Sequence, residues 1–251
     1  MNVLILGATG HLGPYVINVL KPHYNLRLTD IRPPATDTGC EFVTVDVGSL
    51  EQVMKAAEGM DAIVNLSVLR HHRQVAFDVS TRGCYNMMRA AVEHGIQRII
   101  NTGPHFTLAG ATYEWFDCEI GPDIPPQPGT NLYALTKSLG QEICKVFTEN
   151  YDLYVQTYLF CNFIHRDHLR HGRESSGFAG TWEDTAEVFR LGLEIDLDKL
   201  PSKCEVFYIF NDIPHGKFSN EKAKRILGFA PKDDVSALWR KEGADDGSFR
   251  F

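Results

Sequence analysis

The sequence predicts an α/β fold: a doubly wound parallel sheet followed by a small C-terminal lobe. Two observations predict it. Short, nearly continuous apolar runs of strand length alternate with segments of helical period, and a glycine-rich turn, "GATGHLG", stands between the first run and the first helical segment. Strands buried on both faces lose the apolar–polar alternation of a half-exposed strand, and strands separated by helix-length crossovers run parallel.

Taken in order, "NVLILGA" reads as a buried strand and "GPYVINVLKPH" as the helix after it. "LRLTD" is a second strand, "EFVTVDV" a third, "LEQVMKAAEGM" a helix and "DAIVNLSV" a fourth strand. A long helix over "AFDVSTRGCYNMMRAAVEHG" leads to a fifth strand, "RIINTG", and a second long helix, "NLYALTKSLGQEICKVFTENY", to a sixth, "LYVQTYLF". Beyond residue 160 the rhythm breaks into loops rich in His, Gly and Arg. "TWEDTAEVFRLGLE" is then a helix, "EVFYIF" a strand and "NEKAKRILG" a closing helix. The expected division is a dinucleotide-binding domain over 1–158 and a substrate-binding lobe over 159–251, with the site in the crevice between them.

Composition narrows the function. The 251 residues are 43% hydrophobic, enough to bury a sizeable core, and the net charge of −7 offers no basic footprint for nucleic acid. The longest apolar runs fall far short of the roughly 20 residues that span a bilayer. The chain opens directly on "MNVLILGATG", without a charged segment before a cleavable apolar one, so a cytoplasmic protein is expected. Six cysteines (Cys40, Cys84, Cys118, Cys144, Cys161, Cys204) form no CxxC pair and read as idle thiols in a reducing compartment.

The glycine turn carries the first chemical signal. Gly7, Gly10 and Gly13 leave room for a tight turn and for close approach of a pyrophosphate, and the following helix offers free N–H groups at the positive end of its dipole. With Thr9, His11 and Leu12 between them, they make a dinucleotide cradle of the Rossmann type. Asp30, closing the second strand beside Ile31, suits the two ribose hydroxyls of NAD and repels the extra phosphate of NADP, although Arg32 is near. Asp46 and Val47, at the end of the third strand, suit the adenine. The alternative for Asp30 is a solvated turn residue.

The second signal is "YALTK", which sets Tyr133 and Lys137 four apart on one helix face. A phenol, with an ordinary pKa of about 10, is a poor base at neutral pH. A nearby ammonium and a cationic nicotinamide both favour phenolate and make it a usable general base. Chance YxxxK pairs are common; the place of this one, a helix after the fifth strand of a glycine-turn fold, raises it above chance.

With these motifs the chain resembles the extended short-chain dehydrogenase/reductases, the NAD-dependent epimerase/dehydratase group. The likeness runs through "GATGHLG", "DAIVNLSV", "STRGCYN", "LYALTK", "TWEDTAEVFRLGLE" and "ILGFAPKDD". Within the group it is most similar to the uronate dehydrogenases, through "LRLTDI", its compact length and the segment after the fifth strand. That resemblance implies NAD-linked oxidation at C1 of a cyclic sugar acid. The short stretch after the sixth strand leaves little room for the lobe with which relatives hold nucleotide sugars. The family also implies that Lys137 holds the cofactor ribose, that Leu66, Ser67 and Val68 line the nicotinamide ribose, and that two chains pair through the long helices as a homodimer.

The likeness also brings out departures. The family places a Ser or Thr just after the fifth strand, where "NTGPHF" has Gly103, with Thr102 one position earlier. A shift of one residue would let the Thr102 hydroxyl serve, and His105, which aligns with a family histidine, would bond a sugar hydroxyl or, if charged, a carboxylate. The alternative is a plain turn with a surface histidine. The motif N-x-x-G-T-x-x-N reads Ser80 to Gly83, then Cys84 and Tyr85-Asn86, and Leu159 stands where the sixth strand usually carries arginine.

Two cationic clusters are candidates for gripping substrate. "NLSVLRHHR" places Arg70, His71, His72 and Arg73 near the crevice, with a solvated loop as the alternative. "HRDHLRHGR" interleaves His165, His168 and His171 with Arg166, Arg170 and Arg173; the arginines argue against a metal, and Arg166 is the expected carboxylate fork. Asn162 joins the expected substrate contacts, and the Pro-rich "EWFDCEIGPDIPPQPG" is a lid or a covering segment. The reading is an NAD-dependent dehydrogenase acting on a sugar or sugar acid. Its rivals are an epimerase that retains NAD and a non-catalytic dinucleotide sensor.

Overall fold

In the computed structural model, residues 1–109, 120–172, 179–212 and 217–239 are described. In chain order the elements are β1 (Asn2–Leu6), α1 (Gly13–Leu20), β2 (Asn25–Asp30), β3 (Glu41–Thr44), α2 (Leu50–Ala57), β4 (Ala62–Asn65), α3 (Arg73–Phe77), α4 (Gly83–Glu93) and β5 (Arg98–Pro104). They continue with α5 (Phe106–Ala109), α6 (Leu132–Asn150), β6 (Tyr154–Phe160), β7 (Asn162–Ile164), β8 (Ala179–Thr181), α7 (Trp182–Glu194), β9 (Cys204–Tyr208) and α8 (Glu221–Leu227). One π turn, Asp78–Arg82, joins α3 to α4, so the long helix expected from residue 76 is interrupted where it passes the site.

Helix ends follow local chemistry. α1 stops at Leu20, just before Pro22, which has no N–H to continue the helix. The Ser49 side chain caps α2 by accepting from the Gln52 N–H. Asn131 caps α6 by accepting from the N–H groups of Tyr133 and Ala134, which fixes Tyr133 in the first turn. Thr181 caps α7 by accepting from Asp184 N–H, with Glu183 and Asp184 set against the positive helix end.

Seven strands form one parallel sheet in the order β3-β2-β1-β4-β5-β6-β9. Strand alternation sends Val3, Ile5, Leu28, Val64, Ile100 and Tyr158 to the side of α1 and α7, where they meet Val16, Ile17, Leu20 and Phe189. Leu4, Leu6, Ile63, Ile99 and Val155 go to the other side, against α2, α4 and α6. Both faces are covered, which is why the strands read as continuous apolar runs. Burying each such side chain contributes about 1.5–3 kcal/mol.

The boundary expected at residue 158 falls inside β6. The later β9 joins the same sheet beside β6, and Phe189, Phe207 and Leu227 share a core with Val3 and Ile5. Outside the main sheet, β7 and β8 pair with each other, two short strands in a stretch whose sequence predicts loop. No helix among the described residues is long and apolar enough to cross a membrane.

Candidate active site

All seven strands point the same way, so the loops at their C-terminal ends gather on one edge. The strand order reverses between β1 and β4, and the crevice opens there. Gly7 sits at φ +76°, a conformation that L side chains rarely adopt, and its N–H and that of Ala8 both donate to the Thr29 carbonyl at 2.9 Å. A Cβ at Gly7 would lie 2.6 Å from the backbone of Ser67, and one at Gly13 would lie 1.9 Å from the Ala8 carbonyl oxygen. Glycine is therefore required at the first position by the approach of β4 and at the third by the packing of α1 under its own turn.

This turn borders two adjoining cavities. The smaller, about 210 Å³, is lined by Asp30, Ile31, Asp46, Val47 and Ser67, together with Gly7, Gly10, Leu66 and Val68. Asp30 shapes it: Oδ2 accepts from Thr9 N–H at 3.0 Å and Oδ1 from Ile31 N–H at 2.7 Å, so the carboxylate ties the turn to the end of β2. Asp46 accepts from Gly48 N–H at 2.9 Å. An apolar slot with a carboxylate at its rim, reached from a glycine turn, fits the adenosine half of a dinucleotide.

The larger cavity, about 350 Å³, runs over His11, Leu12 and Gly13 to Thr102, Gly103, Tyr133 and Lys137, and on to Asn162. Arg70 also borders it. Lys137 is 2% exposed; its Nζ donates to the Ser67 carbonyl at 2.8 Å, and burial pulls its pKa below the lysine range. The Tyr133 phenol is pushed above its ordinary pKa by burial, and the charge of the Arg70 guanidinium opposes that rise. Arg70 lies over the Tyr133 ring, its guanidinium carbon 5.1 Å from the centroid.

Several expected roles meet a different geometry. The Thr102 hydroxyl donates to the Asn65 carbonyl at 2.8 Å, and strand alternation turns Thr102 away from α6. The one-residue shift that would bring it to Tyr133 does not occur. Gly103 is the position that faces α6, and a Cβ there would lie 2.8 Å from Gln141 Nε2 and 3.1 Å from Leu159 Cδ2. Gln141, one helical turn past Lys137, donates to Thr107 Oγ1 at 3.2 Å and fills that space.

His105 is outside the cavity lining. Its ring meets Phe106 and Phe218 edge-on at 5.2 and 5.4 Å, and burial lowers its pKa to about 4, so it is neutral at physiological pH and does not carry a charge to a carboxylate. Arg166 is not the carboxylate fork of the cavity: its Nε bonds Asp233 at 2.7 Å, and a second nitrogen lies 3.8 Å from Asp184. Of the first cationic cluster, Arg70 reaches the cavity, whereas His72 caps α3 by accepting from Val75 N–H. His165 accepts from Asp167 N–H and packs on Tyr15.

Among the described residues no group of three His, Cys, Asp or Glu side chains could hold a metal. Cys84, at the motif position usually held by Thr, is buried beside Asn65, Asn101 and Cys144. Cys40, Cys84, Cys144 and Cys204 are free thiols. Cys118, Arg173 and the first part of the Pro-rich segment lie outside the described residues.

Three aromatic residues of the cavity had no assigned role. Phe163 and Trp182 stack at 4.1 Å and 10°, and with Phe160 they form an aromatic wall of the cavity. Trp182 follows β8 directly and stacks on Tyr15 of α1 at 5.5 Å, which seats the start of α7 over the turn. The signal available in the sequence was an aromatic at a helix start, which by itself is more often core.

A family model described as "NAD dependent epimerase/dehydratase family" matches residues 3–181. The NAD-dependent glucose-6-phosphate dehydrogenase of Haloferax volcanii is 23% identical over 96% of both chains. The uronate dehydrogenase of Pseudomonas putida is 28% identical over 61% of this chain and 57% of its own length. Among solved structures, a mutant uronate dehydrogenase from Agrobacterium tumefaciens, complexed with NAD, superposes with a TM-score of 0.79 at 22% identity, covering 95% of this chain and 87% of that one.

Proposed function

The chain belongs to the NAD-dependent epimerase/dehydratase family, an enzyme of the short-chain dehydrogenase/reductase type with NAD as cofactor, and from that premise we propose that it oxidises a sugar or sugar acid with Tyr133 as general base. One observation carries the reading: Tyr133 and Lys137 face the larger cavity from one side of α6, and that cavity is continuous with the glycine-turn cradle. The cradle fits the dinucleotide, since side chains at Gly7 and Gly13 would strike backbone.

NAD, when bound, supplies the hydride acceptor. The Tyr133 phenolic oxygen takes the proton of the reacting hydroxyl. Lys137 holds the ribose end and keeps a positive charge one helical turn from the phenol, favouring its deprotonated form. Phe163 and Trp182 offer a flat apolar wall suited to the C–H face of a pyranose ring, while Asn162 and the Gly103 backbone border the polar side. The named activities of the relatives, on a uronate and on a sugar phosphate, make an anionic sugar the substrate class to try first.

The test is NADH formation at 340 nm with NAD and a panel of uronic acids, aldose phosphates and neutral aldoses, beside Tyr133→Phe. Turnover of an anionic sugar that disappears in the variant is expected. Silence across the panel in a protein that binds NAD by calorimetry overturns the dehydrogenase reading.

A further inference from the structure

The phenol of Tyr133 lacks a partner of the usual kind on the β5 side. Gly103 supplies no hydroxyl and its space is filled by Gln141, while the Thr102 hydroxyl is committed to the Asn65 carbonyl. Lys137, the charged group of α6 nearest in sequence, donates to Ser67. From the β5–α5 corner Tyr133 meets the apolar ring of Phe106 edge-on at 5.8 Å, with neutral His105 beyond it. The connection between β4 and α3 brings Arg70 over the ring at 5.1 Å, on the border of the same cavity. Arg166 and Arg190 hold carboxylates, whereas Arg70 is turned to the phenol.

We propose that Arg70 is a positioning residue for Tyr133: its guanidinium, held over the ring at the cavity border, favours the phenolate, in place of the hydroxyl that residue 103 does not provide. The proposal deepens the reading of Tyr133 as general base and rests on it. The chemistry is that of an opposite charge beside an acid: the fixed cation lowers the free energy of the anionic form and leaves the neutral form almost unchanged. An arginine serves because its charge persists at every pH at which the phenol titrates. Arg70 is exposed, so its replacement leaves the core and the sheet intact.

The experiment reads Tyr133 ionisation directly, without substrate. Absorbance at 295 nm is followed against pH for the protein with saturating NAD, for wild type, Arg70→Gln and Arg70→Lys, each minus its Tyr133→Phe counterpart. Loss of the guanidinium is expected to move the Tyr133 midpoint up by about one pH unit, a tenfold fall in phenolate at a fixed lower pH, and lysine to restore part of it. With a turned-over sugar, the acid limb of kcat shifts by the same amount while KM stays within about twofold.

An unmoved midpoint in Arg70→Gln overturns the proposal. So does a loss confined to KM with the acid limb in place, which assigns Arg70 to gripping substrate. If no sugar is oxidised, the dehydrogenase reading fails on its own and the 295 nm titration still decides the role of Arg70.

Discussion

His105 should make this protein acid-sensitive in a narrow window. Packed between Phe106 and Phe218, its imidazole has a pKa of about 4, against 6.5 for the free side chain. Between those values the unfolded chain binds a proton that the folded chain does not, so stability is intact above about pH 6.5 and falls as the pH drops toward 4. Linkage over that shift gives a loss of about 2 kcal/mol by pH 5 and about 3 kcal/mol by pH 4 from this one residue. The assay is urea unfolding by far-UV circular dichroism at pH 7, 6, 5 and 4.5, for wild type and His105→Gln. Carboxylates contribute equally to both proteins, so the difference between the two pH profiles isolates the imidazole. Wild type is expected to lose about 2 kcal/mol more than the variant between pH 7 and pH 5. Parallel profiles would refute the reasoning, because they would mean that the ring charges freely in the folded state.

Gly13→Ala places a methyl 1.9 Å from the Ala8 carbonyl oxygen, so α1 must move off the turn; NAD affinity by calorimetry should fall at least tenfold. Asp184 is 5% exposed and its Oδ2 accepts from Asn211 Nδ2 and from the N–H groups of Lys232 and Asp233 at 2.6, 2.8 and 2.8 Å. Asp184→Ala leaves those donors unpaired and should cost about 3 kcal/mol in urea unfolding. Asp30→Ala releases the Thr9 and Ile31 N–H groups and removes the carboxylate from the adenosine slot. Its Kd for NAD should rise at least tenfold and its preference over NADP should narrow, by titration with both dinucleotides.

How much of this was legible depended on the range of the interaction. The helix from residue 132 begins where Asn131 can cap it, and the glycine turn needs no side chains because strand and helix leave no space for them; both causes lie within a few residues of their effect. The strand–helix rhythm was readable because a strand covered on both faces must be apolar throughout. The placing of Arg166 failed for the opposite reason. An arginine among histidines looks free to bind an anion, and Asp233, 67 residues away in the chain, takes it. Thr102 misled in a subtler way, since a one-residue shift along a strand reverses the face and hands its hydroxyl to Asn65.

The sequence by itself determined the class of fold, the glycine turn and the Tyr133–Lys137 pair, because each is set by periodicity or by spacing along one element. Only the tertiary structure decided what surrounds that pair. Gln141 fills the space beside Gly103, Arg70 lies over the phenol, and Trp182 closes the cavity. These three come from different elements, and no local pattern encodes which side chains meet when a sheet and its helices close on one another. Packing brings them together, and the charge and volume they deliver set how the phenol behaves.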